Sequence, residues 1–320
     1  IQAEWFREKR TNILMDRAMI PESMGLQATP KANVGEAKSW GSELELKYTK
    51  NFNNGMWLQG TGTFTYATNE YSYYEEAPRP ETPWLNHKGE KINAHWGYLA
   101  ERLFIDEYDI NNSPTQVYGA QSILPGDIKY KDINGDGKVD SQDWVTIGWP
   151  SVPEIIYGFG FSAGYKGFDI SCFFQGSAHS SFVFHTGGTD YGSGVSTLHP
   201  FVGGQTALMQ AIADDHWTEE NQDPYAFWPR LSTQIEENNS QKSTWWMRNG
   251  AFLRLKSAEI GYSYPKEVCR GLYLSNLRVY LSGTNLLTFS KFKLWDVEMG
   301  GNGLGYPIQR VYNVGVQLDF

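Results

Sequence analysis

Residues 311–320 place Tyr312, Val314, Val316, Leu318 and Phe320 at every second position, with Asn313, Gly315, Gln317 and Asp319 between them. Strict alternation predicts a β-strand with one apolar and one polar face. A soluble chain could pack such a face onto a core, although chain ends usually fray unless something holds them. A transmembrane barrel strand needs about 9–11 residues of this pattern, its polar face turned to a wet lumen. The strand alone does not choose between the two.

The same alternation recurs along the chain. Residues 1–10 read as a strand carrying Trp5 and Phe6, followed by a longer polar segment with breakers at Pro21, Gly25, Pro30 and Gly35. Residues 42–48 alternate Leu44, Leu46 and Tyr48 with Glu43, Glu45 and Lys47, and 51–55 (NFNNG) have hairpin chemistry. The returning strand, 56–71, puts Leu58, Gly60, Gly62, Phe64 and Tyr66 opposite Trp57, Gln59, Thr61, Thr63 and Thr65. Further on, Ile155, Tyr157, Phe159, Phe161, Ala163 and Tyr165 oppose Gly158, Gly160, Ser162 and Gly164. After Lys166-Gly167, Phe168, Ile170, Cys172 and Phe174 alternate with Asp169, Ser171, Phe173 and Gln175, placing Cys172 on the apolar face. Between residues 251 and 264 the parity slips, so a bulge is expected near 256–258. Leu277, Val279 and Leu281 begin the next strand, and a loop over 290–307 leads to the closing one.

The connections carry more weight than any strand. About eight strands are joined in order by loops that are long, short, long, short, long, medium and long. The two longest cover 72–152, expected to be ordered, and 183–248, with a short helix expected over 205–213. Outer-membrane barrels place long loops at one end and short turns at the other; soluble hairpin sheets have no reason to. The expectation is an all-β, antiparallel transmembrane barrel portion, whose glycine-lined polar face leaves lumen space to be filled.

Composition narrows the classes. The 320 residues begin at Ile1 without a signal-peptide pattern, which suggests a removed export signal or a piece of a longer chain. No stretch approaches the ~18 apolar residues of a spanning helix, a limit that leaves barrels open. The net charge of −9 argues against a nucleic-acid partner. Cys172 and Cys269 are expected to be free thiols. Aromatics make up 15% of the chain, as in barrel girdles and sugar-binding surfaces alike.

Residues 132–143 read DINGDGKVDSQD. Asp132, Asn134, Asp136, Asp140 and Asp143 fall at loop positions 1, 3, 5, 9 and 12, with Gly137 at the sharp turn and the Lys138 carbonyl at position 7. This matches an EF-type calcium loop, with a short-armed Asp at position 12 as in dockerins. No flanking helix pair suggests a switch, so calcium would stiffen a long extracellular loop. The alternative is an Asx-rich turn that binds nothing.

Catalytic constellations are scarce. Asp214, Asp215 and His216 are adjacent rather than convergent and read as solvated loop charges. His179 and His185 have no metal spacing. Tryptophans gather in the loops. Trp84, His87, Trp96, Trp217 and Trp228 are candidates for contact with a substrate or a covering partner, against a packing or girdle role.

The stretch 132–148 (DINGDGKVDSQDWVTIG) followed by 153–158 (PEIIYG) resembles the SusC/RagA family of TonB-dependent outer-membrane transporters. So do 216–221 (HWTEEN), 229–231 (PRL), 249–256 (NGAFLRLK), 261–265 (GYSYP), 277–280 (LRVY), 283–287 (GTNLL), Tyr306-Pro307 and the terminal Phe320. The order and spacing of these blocks resemble the family's C-terminal third, with nothing similar to its plug. The resemblance implies a barrel of about 22 strands in the bacterial outer membrane. It would import oligosaccharides or peptides with energy relayed by TonB through a part absent here. A SusD-like surface lipoprotein would lie over the loops as a lid, the transporter–lid pair would be able to dimerise, and Tyr312, Val314, Val316, Leu318 and Phe320 would form the barrel-assembly signal. No enzymatic activity is implied. Two other readings stay open: a secreted, calcium-stiffened β-protein that binds or cleaves glycans, and a complete eight-stranded barrel whose first and last strands pair.

Overall fold

The computed structural model describes residues 1–18, 20, 24–25, 28–118, 122–184, 209–233, 236–303 and 305–320. Eight long strands form one antiparallel sheet in chain order: β1 (Gln2–Asp16), β2 (Lys31–Asn51), β3 (Trp57–Tyr73), β4 (Ile155–Tyr165), β5 (Phe168–Ala178), β6 (Phe252–Ser263), β7 (Asn276–Ser290) and β8 (Val311–Asp319). The sheet is open, with β1 and β8 at its edges, so among the described residues the closed eight-stranded barrel is not formed.

Two expectations about the first hairpin are corrected. The first strand runs on to Asp16, and the second begins at Lys31 rather than near residue 42. Gly35 therefore lies inside a strand, opposite Ile13, where the register shifts. A Cβ there would meet the Met15 side chain at 2.4 Å, so glycine at this point makes room for a neighbour instead of ending the strand.

The pairing sorts the alternating residues into continuous rows. Leu58, Ala163, Ile170, Ile260, Leu281 and Val314 are successive partners from β3 to β8. A parallel row runs Tyr48, Gly60, Phe161, Cys172, Ala258, Gly283 and Tyr312 from β2 to β8. Keeping these rows aligned through β6 requires the expected bulge. Phe173 pairs with Ser257 and Phe174 with Leu255, leaving Lys256 unopposed, so Leu253 and Leu255 rejoin the face of Ile260 and Tyr262.

The other face is polar and close-packed. Its glycines do not leave open space, contrary to expectation, because side chains of adjoining strands lie over them. Phe173 covers Gly158 and Gly160, Trp57 covers Gly164, Arg278 covers Gly261, and Tyr280 covers Gly315. A Cβ at Gly315 would sit 2.2 Å from the Tyr280 ring.

At one end the strands are joined by tight connections. Lys166 and Gly167 both take positive φ, 50° and 85°, as a two-residue hairpin of the right twist requires. At the other end, the described residues of 74–154, 179–251 and 291–310 fold together into a crown. Short strand pairs knit it: His95–Gly97 with Val145–Ile147, Ala100–Leu103 with Ile128–Tyr130, Thr115–Gln116 with Lys138–Val139, and Ser181–Val183 with Met247–Asn249. Among the described residues there are three short α-helices, α1 (Glu107–Asn111), α2 (Gln210–Asp214) and α3 (Lys266–Gly271), the last in the β6–β7 turn. The helix expected over 205–213 is met by α2; residues 205–208 lie outside the described residues.

The hydrophobic core sits in the crown. Tyr98, Leu103, Ile128, Tyr130, Phe184, Trp228, Trp246 and Phe292 are all buried there. Among the described residues, Ala37 and Cys269 are the buried apolar side chains outside it. The sheet is inverted by comparison, since Phe159, Phe161, Phe168, Ile170, Ile260, Leu281 and Val314 are exposed.

Candidate functional site

The outward apolar face has the dimensions of a membrane belt. In β4, Tyr157 and Tyr165 bracket Phe159, Phe161 and Ala163, with Phe159 stacked on Phe174 at 4.9 Å between ring centres. Tyr165 lies eight positions on from Tyr157, about 26 Å along a strand at 3.3 Å per residue, or roughly 20 Å in height at a tilt of ~40°, a span that fits within the ~25 Å apolar band of outer-membrane barrels. At the turn end, Phe168, Tyr262 and Tyr264 form an aromatic chain, with centroids 4.5 and 5.0 Å apart. No helix among the described residues is long and apolar enough to cross a membrane.

The inward face carries the charges. Arg278 Nη2 donates to Asp169 Oδ1 at 2.5 Å and to Glu259 Oε1 at 2.7 Å, bridging β5, β6 and β7. Nearer the crown, Arg254 of β6 is buried and donates to both oxygens of Asp296 at 2.7 and 2.8 Å. This pair ties the wall to the loop that precedes β8.

Inside the crown a polar spine joins its two long segments. Asp127 accepts from Arg230 Nε at 2.7 Å, from Asn239 Nδ2 at 2.8 Å and from the Leu124 amide at 2.8 Å. Asn239 Oδ1 accepts from the Ile128 amide at 2.9 Å, and Trp246 Nε1 donates to the Asn239 carbonyl at 2.7 Å. Gln116 bridges to Asn238 and the Tyr130 amide. Burial pushes the Asp127 carboxyl up, and the Arg230 guanidinium pulls against that shift. Asp109 is the opposite case. Its bidentate partner Arg102, at 2.5 and 2.8 Å, holds the carboxyl well below the usual carboxylate range.

The loop 132–143 is curled on its own side chains. Asp132 accepts from the Gly135 and Gly137 amides at 2.6 and 2.9 Å, and both glycines have positive φ. Asn134 accepts from the Asp136 amide and Asp136 from that of Lys138. Asp143, fully buried, accepts from Ile133 at 2.7 Å and Asp140 at 2.8 Å. Val139 anchors the loop in the crown core, and Trp84 Nε1 donates to the Gln142 carbonyl at 2.8 Å. Among the described residues no three His, Cys, Asp or Glu side chains gather as a metal cluster. Also among them, no Lys or Arg forms an ion pair with Asp132, Asp136, Asp140 or Asp143.

The candidate contact aromatics divide into two groups. Trp217 and Trp228 are only 6% and 2% exposed and belong to the crown core, so in this conformation neither offers a face to a ligand. The physical reason is packing: Trp228 lies 4.8 Å from Trp246, and Trp217 covers Gly126, where a Cβ would come within 2.4 Å. Trp84, His87 and Trp96 are half-buried at the surface. His87 stacks on Tyr74 at 4.5 Å, lies 4.9 Å from Trp96, and its amide and ring bind Glu76. Tyr312, Val314, Val316 and Leu318 are exposed on the edge strand, and Phe320, also exposed, follows its last residue.

Asp214, Asp215 and His216 do not converge: the His216 ring nitrogen Nδ1 sits 2.9 Å from the Ile212 carbonyl instead. His179 stacks on Trp149 at 3.8 Å and faces Glu154, while His185 lies outside the described residues. Both cysteines are free. The Asp127–Asn239 spine and the Arg254 and Arg102 pairs were not foreseen, and no local motif marks them.

An eight-stranded antiparallel wall, apolar outward, charged inward and crowned at one end, defines a segment of a transmembrane β-barrel. No family model matches the sequence. The chain is 32% identical over 208 residues to a TonB-dependent receptor of Formosa agariphila, covering 61% of this chain and 20% of the relative. It is 23% identical over 330 residues to the TonB-dependent receptor SusC of Bacteroides thetaiotaomicron, covering 98% and 29%. In three dimensions it resembles the solved RagAB peptide transporter, with a TM-score of 0.67 and 22% identity over 99% of this chain and 33% of that one. These likenesses agree with the resemblance to the SusC/RagA family of TonB-dependent receptors. The chain spans a third or less of the length of these relatives.

Proposed function

We propose that this chain forms part of the barrel wall and the surface crown of an importer in the bacterial outer membrane, driven through TonB. Its inverted burial carries the proposal: apolar rows exposed on the sheet, and a dry core confined to the crown. That arrangement suits a wall bathed in membrane lipid with a crown in water. Its likeness to TonB-dependent receptors and, in three dimensions, to a solved peptide transporter supports it. The cargo is an oligosaccharide or a peptide, moved unchanged, so the protein performs no enzymatic step. A SusD-like surface lipoprotein covers the crown, and two transporter–lid pairs associate as a dimer. Half-buried Trp84, His87 and Trp96 are the candidate contacts for cargo or lid. The alternating residues of β8 serve as the assembly signal.

Uptake tests this directly. Cells lacking the full-length gene, supplied with labelled oligosaccharide and peptide mixtures, should lose uptake of one class, and a protonophore should abolish the same uptake in wild-type cells. Unchanged uptake of both classes would refute the importer.

We further propose that loop 132–143 holds calcium. The donors Asp132, Asn134, Asp136, Asp140 and Asp143 with the Lys138 carbonyl fit a hard, oxygen-seeking cation. Four carboxylates with no Lys or Arg ion-pair partner among the described residues favour one electrostatically. Calcium would supply charge neutralisation and stiffness and take no part in chemistry.

A further inference from the structure

At the turn end, β2–β3 and β4–β5 connect through five and two residues, but β6–β7 spends residues 264–275 on a turn containing α3. Tyr264, Val268, Leu272 and Tyr273 of that turn are all exposed. We infer that this turn is an interfacial anchor lying in the phospholipid headgroup layer on the turn side of the membrane, with Tyr273 and Leu272 reaching the acyl boundary. The inference rests on the barrel reading above.

Tyr273 is the main observation. It follows the end of α3 with φ of +59°, and the Leu274 amide donates back to the Cys269 carbonyl at 2.9 Å. This is the helix-ending bend that glycine normally occupies, because a Cβ is strained in the left-handed region. A tyrosine is kept there although its side chain packs on almost nothing, at 92% exposure. Backbone strain retained for a ring without an internal partner points to an external one. Tyrosine is a preferred residue of membrane–water interfaces, where its ring sits in the headgroup layer.

The surroundings agree. Phe168, Tyr262 and Tyr264 lead from the outward apolar face directly into the turn, so α3 continues that surface. Val268 and Leu272 are one helical turn apart, as are Lys266 and Arg270. Both cations are exposed, and among the described residues neither forms an ion pair, which suits phosphate headgroups. A six-residue helix is too short to be stable alone. Cys269, buried and 3.7 Å from the Tyr264 carbonyl, closes the turn on itself, and the Tyr264 and Ser275 amides, donating to the Leu277 and Asp319 carbonyls at 2.9 and 2.7 Å, pin it to the wall.

The test uses the full-length protein, with hydrogen exchange measured in nanodiscs of phosphatidylethanolamine and phosphatidylglycerol and in a lipid-free amphipol belt. The amides of 267–274 should exchange more slowly in nanodiscs. Tyr273→Gly relieves the backbone strain, so in amphipol its turn should exchange no faster than wild type, yet the lipid-dependent slowing should be lost. Equal slowing in wild type and Tyr273→Gly would overturn the anchor, as would protection appearing only when periplasmic extract is added. A lipid-borne carbene label on β4 and β5 separates the two readings. Labelled strands with an unprotected turn reject the anchor alone; unlabelled strands reject the barrel reading and the anchor with it.

Discussion

Phe161 is the position where a membrane wall and a water-exposed wall differ most. It lies midway between Tyr157 and Tyr165, four residues from each, about 13 Å along the strand and roughly 10 Å in height at a tilt of ~40°. Its neighbours in the row are Gly60 and Cys172, and the side chain is 49% exposed. In water, replacing a half-exposed phenylalanine by arginine would change stability by about 0.5 kcal/mol or less. Against lipid at the bilayer midplane the same change costs about 2–4 kcal/mol, a shift of roughly 30- to 700-fold in the folding equilibrium at 1.4 kcal/mol per decade. Phe161→Leu, which stays apolar, should cost less than about 1.5 kcal/mol. The assay is guanidinium titration of the full-length protein in lipid vesicles, following the heat-modifiable band of the folded barrel on gels. A midpoint for Phe161→Arg indistinguishable from that of Phe161→Leu would refute the reasoning, because it would mean that the outward face is wet.

Three further predictions concern the crown. Trp246→Ala should destabilise it by about 3–5 kcal/mol, since the indole fills the core and its loss strands the buried Asn239 carbonyl; limited proteolysis should cut residues 74–154 and 209–251 while the strands stay protected. Asp109, held low by Arg102, contributes stability that is complete above the ordinary carboxylate range and is lost as pH falls through its depressed value. Wild-type crown should therefore weaken only below about pH 4, and Asp109→Asn should flatten that acid limb in a melting series from pH 6 to pH 2. Calcium should raise the crown's melting temperature, terbium taking its place in loop 132–143 should luminesce on tryptophan excitation until calcium displaces it, and Asp132→Asn with Asp136→Asn should abolish both effects. Unchanged melting with calcium present would remove the metal from the account.

The wall was legible because a strand's period is two and one face is apolar. The slip between Leu255 and Ile260 even located the bulge, since only an extra residue returns both to one face. The start of β2 was not legible. Pro30 and Gly35 look like breakers, and only the Met15 side chain beside Gly35 shows why glycine sits inside a strand. Face glycines suggested lumen space for the same reason: the sequence of β4 does not say that Phe173 and Trp57 of its neighbours will lie over them. The crown was the least accessible region. Its spine joins Asp127 to Asn239, 112 residues apart, and no local period encodes such a contact. Trp217 and Trp228 illustrate the limit at single residues, because a loop tryptophan looks alike in sequence whether its ring faces a partner or a core.

We propose that this wall belongs to a membrane-embedded transporter covered by a surface partner. Purification of the native protein from outer membranes, followed by intact mass and identification of what comes with it, tests that most directly. The account predicts release only by detergent, a polypeptide about three times this length, and a lipoprotein bound in stoichiometric amount. A soluble protein of this length with no partner would contradict it.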